Sequence, residues 1–147
     1  MRVSVQEEAF DVGAESSAFA RRCANMGAMV TFTGIVRDLP GNPLEAMEIE
    51  HYPGMTESAI REIAQQAVAR WSLGNALVIH RYGRLTPGEL IMMVATAAPH
   101  RKAAFEAAEF LMDYLKSRAP FWKREITARG AEWVAARDED EAALKRW

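Results

Sequence analysis

Two lysines in the C-terminal third of the chain, Lys116 and Lys123, are the residues whose type and spacing most favour catalysis. In one straight helix they would lie about 10 Å apart along the axis. Pro120 between them ends the helix, so the chain can turn and bring the two ammonium groups closer. Neighbouring cations lower the pKa of a lysine, and such a lysine can act as a general acid, general base or nucleophile. The alternative is that both are solvated surface lysines, and the spacing does not decide between the two.

A second group of residues has the chemistry to bind an anion. His100 and Arg101 stand at the predicted start of a helix, where free backbone N–H groups attract anions and where cationic side chains conflict with the helix dipole. Arg37 ends a predicted strand close to Gly34, and an arginine in such a place suits a phosphate or a carboxylate. The alternatives are side chains that simply reach water and, for His100, a capping hydrogen bond to a local N–H.

The other reactive side chains favour structural roles. Cys23 lies on an amphipathic segment and is predicted to be a small core residue. His51 falls in a turn, and His80 is predicted to lie on the polar outer face of a strand. Because the three histidines show no paired spacing, we predict no metal site, and we expect no cofactor. An acyl or phosphoryl transferase would need an activated Ser or Cys or a metal-binding carboxylate cluster, and neither is evident.

Composition excludes several classes of protein. The 147 residues carry 18 basic and 20 acidic side chains, for a net charge of −2, which argues against a general nucleic-acid or anionic-membrane binder but not against a local basic pocket. A single cysteine excludes an internal disulfide. The chain has no apolar run of the roughly 18 residues that span a bilayer, and acids follow the N-terminus where a signal peptide would be apolar. We therefore expect a cytoplasmic protein with one domain, residues 1–147.

Hydrophobic periodicity predicts an α+β domain with helices packed on one largely antiparallel sheet. Strands 28–36 and 44–52 are expected to pair with each other, and Thr56 is the expected N-cap of the second helix. The acidic tail after residue 137 is expected to become helical. The predicted strands are 2–6, 28–36, 44–52, 76–82, 90–97, 122–128 and 131–135, and the predicted helices are 13–25, 56–71 and 100–118.

Five segments of the chain occur in the order and at the spacing of a known protein family. They are FTGIVRD (32–38), EIEHYPGMTE (48–57), IHRYGRLTPGE (79–89), PHRKAAFEAAEFLMDYLKSRAPFWKRE (99–125) and GAEWV (130–134). On these segments the chain resembles the large, catalytic subunit of molybdopterin synthase, an enzyme of molybdenum cofactor biosynthesis. The resemblance covers most of the chain and implies an α/β hammerhead fold.

The resemblance also implies a reaction and an assembly. Sulfur would pass from a thiocarboxylate on the C-terminal Gly-Gly tail of a small ubiquitin-like carrier to cyclic pyranopterin monophosphate, forming the dithiolene of molybdopterin. Two large subunits would form a homodimer with one small subunit at each end, a heterotetramer in which each pocket borrows residues from its neighbour. The alternative is a non-catalytic adaptor that binds a ubiquitin-like tail. Such an adaptor should lack one of the lysines or His100–Arg101, and all are present.

Residue roles follow from the same resemblance. Lys116 matches the family's catalytic lysine nearest the carrier tail, and Lys123 matches a second lysine important for activity. Arg37, His100 and Arg101 match residues that hold the phosphate of the substrate. The remaining expected substrate-binding residues fall within the same segments and are Ile35, Val36, Arg124 and Glu125.

Overall fold

The computed structural model describes residues 1–135 and 138–147. Helices and strands alternate irregularly along the chain, which confirms the predicted α+β class. The elements are β1 (Arg2–Gln6), α1 (Val12–Arg21), β2 (Ala28–Ile35), β3 (Leu44–His51), α2 (Met55–Trp71), β4 (Asn75–Arg81), β5 (Gly83–Leu85), β6 (Leu90–Ala98), α3 (Arg101–Ser117), β7 (Phe121–Thr127), β8 (Gly130–Trp133), α4 (Asp138–Ala143) and a 3₁₀ turn (Leu144–Arg146). None of the helices within these described residues has the length and apolarity needed to cross a membrane.

Within the described residues the strands form two four-stranded sheets, where the sequence predicted one. Sheet A has the order β1-β4-β6-β2 and sheet B the order β5-β3-β7-β8. Every strand pair is antiparallel except β1 with β4. The expected pairing of β2 with β3 is wrong, because β2 pairs with β6 and β3 pairs with β5 and β7. The side chain of Asp38 accepts hydrogen bonds from the N–H groups of Leu39 and Leu44, which turns the chain out of sheet A and into sheet B.

Sheet A is the centre of the fold and is covered on both faces. The side chains of β4 alternate between the faces: Ala76 and Val78 join the core beneath α2 and α3, whereas Leu77 and Ile79 join a second core beneath α1. Cys23 lies buried in that second core, as predicted. The alternation places His80 on the side of α3.

Helix α3 presents one apolar stripe to sheet A, as its period predicts. Phe105 borders this stripe and remains 61% exposed. Phe105 instead lies beside β2, where it lines a shallow apolar groove together with Phe32. The buried residues of the stripe are Ala104, Ala107, Ala108, Phe110, Leu111 and Leu115.

A hydrogen bond joins the start of α2 to the chain reversal that follows α3. The helix begins at Met55 with Gly54 as its N-cap, so the prediction of Thr56 as the cap is wrong. Gly54 has φ +82, which a glycine adopts without strain and which permits this earlier start. Thr56 is fully buried; its Oγ1 accepts a hydrogen bond from the Tyr52 N–H and donates one to the Pro120 carbonyl, each at 3.0 Å.

Candidate functional site

The reversal between α3 and β7 brings the two lysines together. Helix α3 ends at Ser117 and β7 begins at Phe121, so the chain turns back within residues 118–120. The N–H groups of Arg118 and Ala119 both donate to the Tyr114 carbonyl and close the helix end. As a result Lys116, at the end of α3, and Lys123, in β7, line the same cavities. The expected turn of the chain at Pro120, which brings both lysines to one site, is therefore observed.

Two cavities meet at these lysines. The larger has a volume of about 540 Å³, within the range of small-molecule sites. The smaller has a volume of about 130 Å³ and extends beneath Phe121 towards Val134. Four side chains line both cavities and form the wall between them: His80, Leu115, Lys116 and Lys123. We call these four residues the shared wall.

The larger cavity combines apolar surface with cations. Its sides come from β2, β6 and α3 and include Phe32, Ile35, Met92 and Met112, while Arg37 adds a guanidinium to the two lysines. Apolar walls with a few convergent charged groups are typical of sites for flat organic ligands that carry an anionic group.

Burial changes the protonation of Lys123. Burial, followed by the charge of Lys116, lowers the pKa of Lys123 from 10.5 to about 8, and Asp140 opposes this fall. Among the residues described, neither Lys116 nor Lys123 forms an ion pair. At pH 7 about a tenth of Lys123 is then the free amine, so the side chain can both donate and accept a proton near neutral pH.

His80 belongs to the site, and the sequence prediction for it is wrong. It is 3% exposed and its ring stacks on Phe121 at 3.8 Å between centroids. Burial and the charge of Lys123 lower the pKa of His80 to about 3, so the imidazole is neutral. The signal was present in the sequence: the run ALVIHRY (76–82) is nearly continuous in apolar residues, which is typical of a strand covered on both faces.

The three substrate-binding residues predicted in β2 and the following loop lie in two environments, the larger cavity and the core. Ile35 and Arg37 line the larger cavity. Val36 between them is 2% exposed and points into the core; its N–H donates to the Glu89 carbonyl and its own carbonyl accepts from Gly88. Val36 therefore fixes the backbone that carries its two neighbours.

The predicted residues of β7 lie on opposite faces of that strand. Arg124 pairs with Glu48 and lies over the ring of Trp133 at 5.4 Å, on the face of sheet B away from Lys123. Glu125 is half-buried and does not line either cavity of the shared wall.

His100 and Arg101 lie far from the lysines within one chain. His100 is the N-cap residue of α3 but its side chain makes no capping hydrogen bond, so the capping alternative is wrong. Both residues are exposed. Lys116 lies fifteen positions after Arg101 in the helix, which corresponds to about 22 Å along the axis. This exceeds the combined reach of the two side chains.

Residues 1–135 and 138–147 contain no group of three or more His, Cys, Asp or Glu side chains arranged to hold a metal ion. The titratable groups of the shared wall are the histidine and the two lysines, a set that serves proton transfer and the stabilisation of negative charge.

Comparison with known proteins gives the family. A family model described as MoaE protein matches residues 5–118. The molybdopterin synthase catalytic subunit of Cereibacter sphaeroides is 70% identical over 147 residues, 100% of each chain. The molybdopterin biosynthesis MoaE protein of Burkholderia ambifaria has a TM-score of 0.84 and 49% identity, covering 100% of this chain and 98% of that one. A protein–protein complex of subunits 1 and 2 of the molybdopterin-converting factor of Helicobacter pylori shares the fold, with a TM-score of 0.78, 20% identity and coverage of 92% and 91%. The chain therefore belongs to the MoaE family, the catalytic subunits of molybdopterin synthase.

Proposed function

We propose that this chain takes sulfur from the thiocarboxylated C-terminal tail of a small ubiquitin-like carrier and places it on cyclic pyranopterin monophosphate, forming the dithiolene of molybdopterin. The observation that carries the proposal is the shared wall, where two lysines stand between a large apolar cavity and a narrow one. A donor and an acceptor of sulfur can thus approach the same ammonium groups from two sides.

The larger cavity suits the pterin. Phe32, Ile35 and Met92 offer apolar contact to a flat fused ring, and Arg37 offers a charge-assisted hydrogen bond to the phosphate. The smaller cavity is lined by Phe121, Val134 and Ala135 and has a volume of about 130 Å³, which suits a chain end without bulky side chains, such as Gly-Gly. The Helicobacter pylori structure is a complex of two subunits, and this likeness of fold accords with a second, smaller subunit here.

Each lysine then has a role in sulfur transfer. The thiocarboxylate sulfur attacks an oxygen-bearing carbon of the pterin side chain, so that a carbon–sulfur bond forms as the carbon–oxygen bond breaks and the oxygen leaves with a proton. Addition of water to the carrier's acyl carbon breaks the acyl–sulfur bond, which leaves sulfur on the pterin and a carboxylate on the carrier. Lys116, exposed at the end of α3, stabilises the oxyanion formed at that acyl carbon. Lys123, with its pKa lowered to about 8, supplies and removes protons as ring oxygen is lost.

A second copy of the chain completes the phosphate site in our proposal. His100 and Arg101 stand about 22 Å from Lys116 along their own helix, so they serve a neighbouring pocket instead of their own. Strand β2 lies at an edge of sheet A and exposes Phe32 beside Phe105 of α3, an apolar surface suited to a homodimer contact. With one carrier at each end, the assembly is a heterotetramer.

We propose that residues 1–147 act as one unit in the cytoplasm. The single cysteine is buried and unpaired, which fits a reducing compartment. The net charge of −2 fits a protein that binds neither nucleic acid nor an anionic membrane.

A single-turnover reaction tests the proposed function. The purified chain is mixed with the thiocarboxylated carrier and cyclic pyranopterin monophosphate, and dithiolene formation is followed by mass spectrometry. We expect product from the unmodified chain, none from Lys116→Ala, and normal product from Lys102→Ala, an exposed lysine of the same helix. Carrier binding without product would favour the adaptor alternative. Normal turnover by Lys116→Ala would refute the role of that lysine.

Mixing two impaired chains tests the shared phosphate site. In a heterodimer of Lys116→Ala with Arg101→Ala, one pocket combines the intact lysine of one chain with the intact arginine of the other. Random exchange makes half of the dimers mixed, so the mixture should recover about a quarter of the unmodified rate. If both residues serve the same chain's pocket, mixing restores nothing beyond the sum of the two variants.

A further inference from the structure

The ring of His80 is held in one tautomer. Its Nδ1 lies 2.8 Å from the carbonyl oxygen of Arg81. A carbonyl oxygen only accepts hydrogen bonds, so Nδ1 carries the proton and donates it. Because burial keeps the pKa of His80 near 3, the ring stays neutral at every pH at which the protein is expected to work. The second nitrogen, Nε2, is therefore a hydrogen-bond acceptor.

Within the described residues this acceptor has no partner, and it belongs to the shared wall. Among the residues that the structure describes, the hydrogen bond of His80 is made by Nδ1, and Nε2 is not one of the fully enclosed polar atoms without a partner. The ring lines both cavities. Nε2 thus opens onto the space that the two lysines border.

Lys123 is the donor best placed to meet it. Phe121 stacks on the His80 ring, and Lys123 is two residues further along β7. Side chains two apart in a strand lie on the same face, so Lys123 emerges beside the ring on which Phe121 stacks. The charge of Lys123 also affects His80 more strongly than does that of Lys116.

We propose that His80 is a positioning residue for Lys123: its Nε2 accepts a hydrogen bond from the Lys123 side chain and holds that nitrogen at the wall between the two cavities. This inference deepens the proposed function and rests on it. The charged and titratable groups that face the imidazole are Lys123 from β7, Lys116 from α3, His51 from β3 and Arg81 of its own strand.

The contact has a defined effect on protonation. A neutral acceptor stabilises the ammonium form of Lys123, because an ammonium group is the stronger donor. The proposed hydrogen bond would therefore oppose the burial and the Lys116 charge that lower the pKa of Lys123. Removing the acceptor should lower the pKa of Lys123 further and leave its nitrogen less well placed.

Two substitutions separate the acceptor from the rest of the ring. His80→Gln can place an amide oxygen near the position of Nε2, whereas His80→Asn can replace only the Nδ1 donor to Arg81. Both variants lose the aromatic stack on Phe121, and only His80→Gln keeps an acceptor near the position of Nε2. Circular dichroism and thermal unfolding establish that each variant is folded.

The readouts are the titration of Lys123 and the kinetic constants. The titration is followed through the ¹³Cε shift of labelled lysine, assigned with Lys123→Arg. We expect the pKa of Lys123 in His80→Gln to match the unmodified chain and in His80→Asn to fall by about 0.5 or more. In single turnover, His80→Asn should lower the maximal rate about tenfold with substrate affinity unchanged, and His80→Gln should restore most of it. Equal pKa values and equal rates in the two variants would overturn the proposal.

A measurement on the unmodified ring covers the case in which neither variant folds. The ¹⁵N shift of His80 Nε2 should change in Lys123→Met and stay constant in Lys102→Met. An unchanged shift in Lys123→Met would overturn the proposal. These spectra need neither carrier nor pterin. An unchanged Nε2 shift would therefore overturn the role of His80 without affecting the proposed function, and an absence of turnover would not affect the interpretation of the spectra.

Discussion

Replacing Lys123 with methionine should stabilise the fold while removing activity. Methionine keeps the length of the side chain and its apolar stem but carries no charge. Each unit of pKa corresponds to about 1.4 kcal/mol. The fall of the Lys123 pKa from 10.5 in an unfolded chain to about 8 in the folded one therefore costs about 3 kcal/mol of folding free energy at pH 7. Lys123→Met avoids that cost.

The pH dependence distinguishes this effect from a simple gain in packing. Between pH 8 and 10.5 the folded chain binds fewer protons at Lys123 than the unfolded chain, so the stability of the unmodified protein rises with pH across this window. The advantage of Lys123→Met should be fully present below pH 8, shrink through the window and vanish above pH 10.5.

Urea unfolding at fixed protomer concentration, at several values between pH 7 and pH 10.5, measures the difference. Lys102→Met is the matched control, since Lys102 is exposed on α3 and meets Glu106 at 4.0 Å; it should change stability by about 0.5 kcal/mol or less. The reasoning is refuted if Lys123→Met is no more stable than the unmodified chain at pH 7, or if its advantage is the same at pH 7 and pH 10.5.

Two further substitutions test the framework of the site. Thr56→Val removes the two hydrogen bonds of the Thr56 hydroxyl, one from the Tyr52 N–H and one to the Pro120 carbonyl, and should lower the free energy of unfolding by about 2–3 kcal/mol. Thr56→Ser, which keeps the hydroxyl, should retain most of that stability in the same urea titration. Cys23→Ala should lower stability by about 1 kcal/mol and leave the yield of single turnover unchanged, because the thiol lies buried under α1. Loss of product in Cys23→Ala would mean that the chain's own sulfur takes part.

The hydrophobic periodicity of the sequence predicted the helices and strands well, but it predicted the pairing of the strands less well. The bounds predicted for α3 and β6 fall within one residue of those observed, since a strong period and a flanking proline or glycine both mark them. The separation of β2 from β3 into two sheets depends on the turn at Asp38 and on contacts remote in sequence. Strand β5 has only three residues, too few for an alternating pattern to be recognised.

Local pattern also predicted part of the site, whereas the part that depends on contacts remote in sequence was missed. Lys116, Lys123 and Arg37 are conspicuous by type and by their positions next to element ends. For His80 the apolar run of β4 indicates only that the strand is covered on both faces; the residues that pack on it, and so the role of His80, follow from the tertiary arrangement. The exposure of Phe105 is a similar case: an apolar stripe identifies a face, and only the tertiary arrangement shows how far that face is covered.

The alternation of β7 makes the site more sensitive to chain length than to residue identity. Phe121 and Lys123 point to the shared wall, while Trp122 and Arg124 point to the other side of sheet B. Inserting or deleting one residue between Pro120 and Lys123 would exchange the two faces, so that a tryptophan or an arginine would occupy the wall and the lysine would face outward. Substitutions in this stretch can therefore be explored one at a time, whereas its length has to stay constant in any redesign.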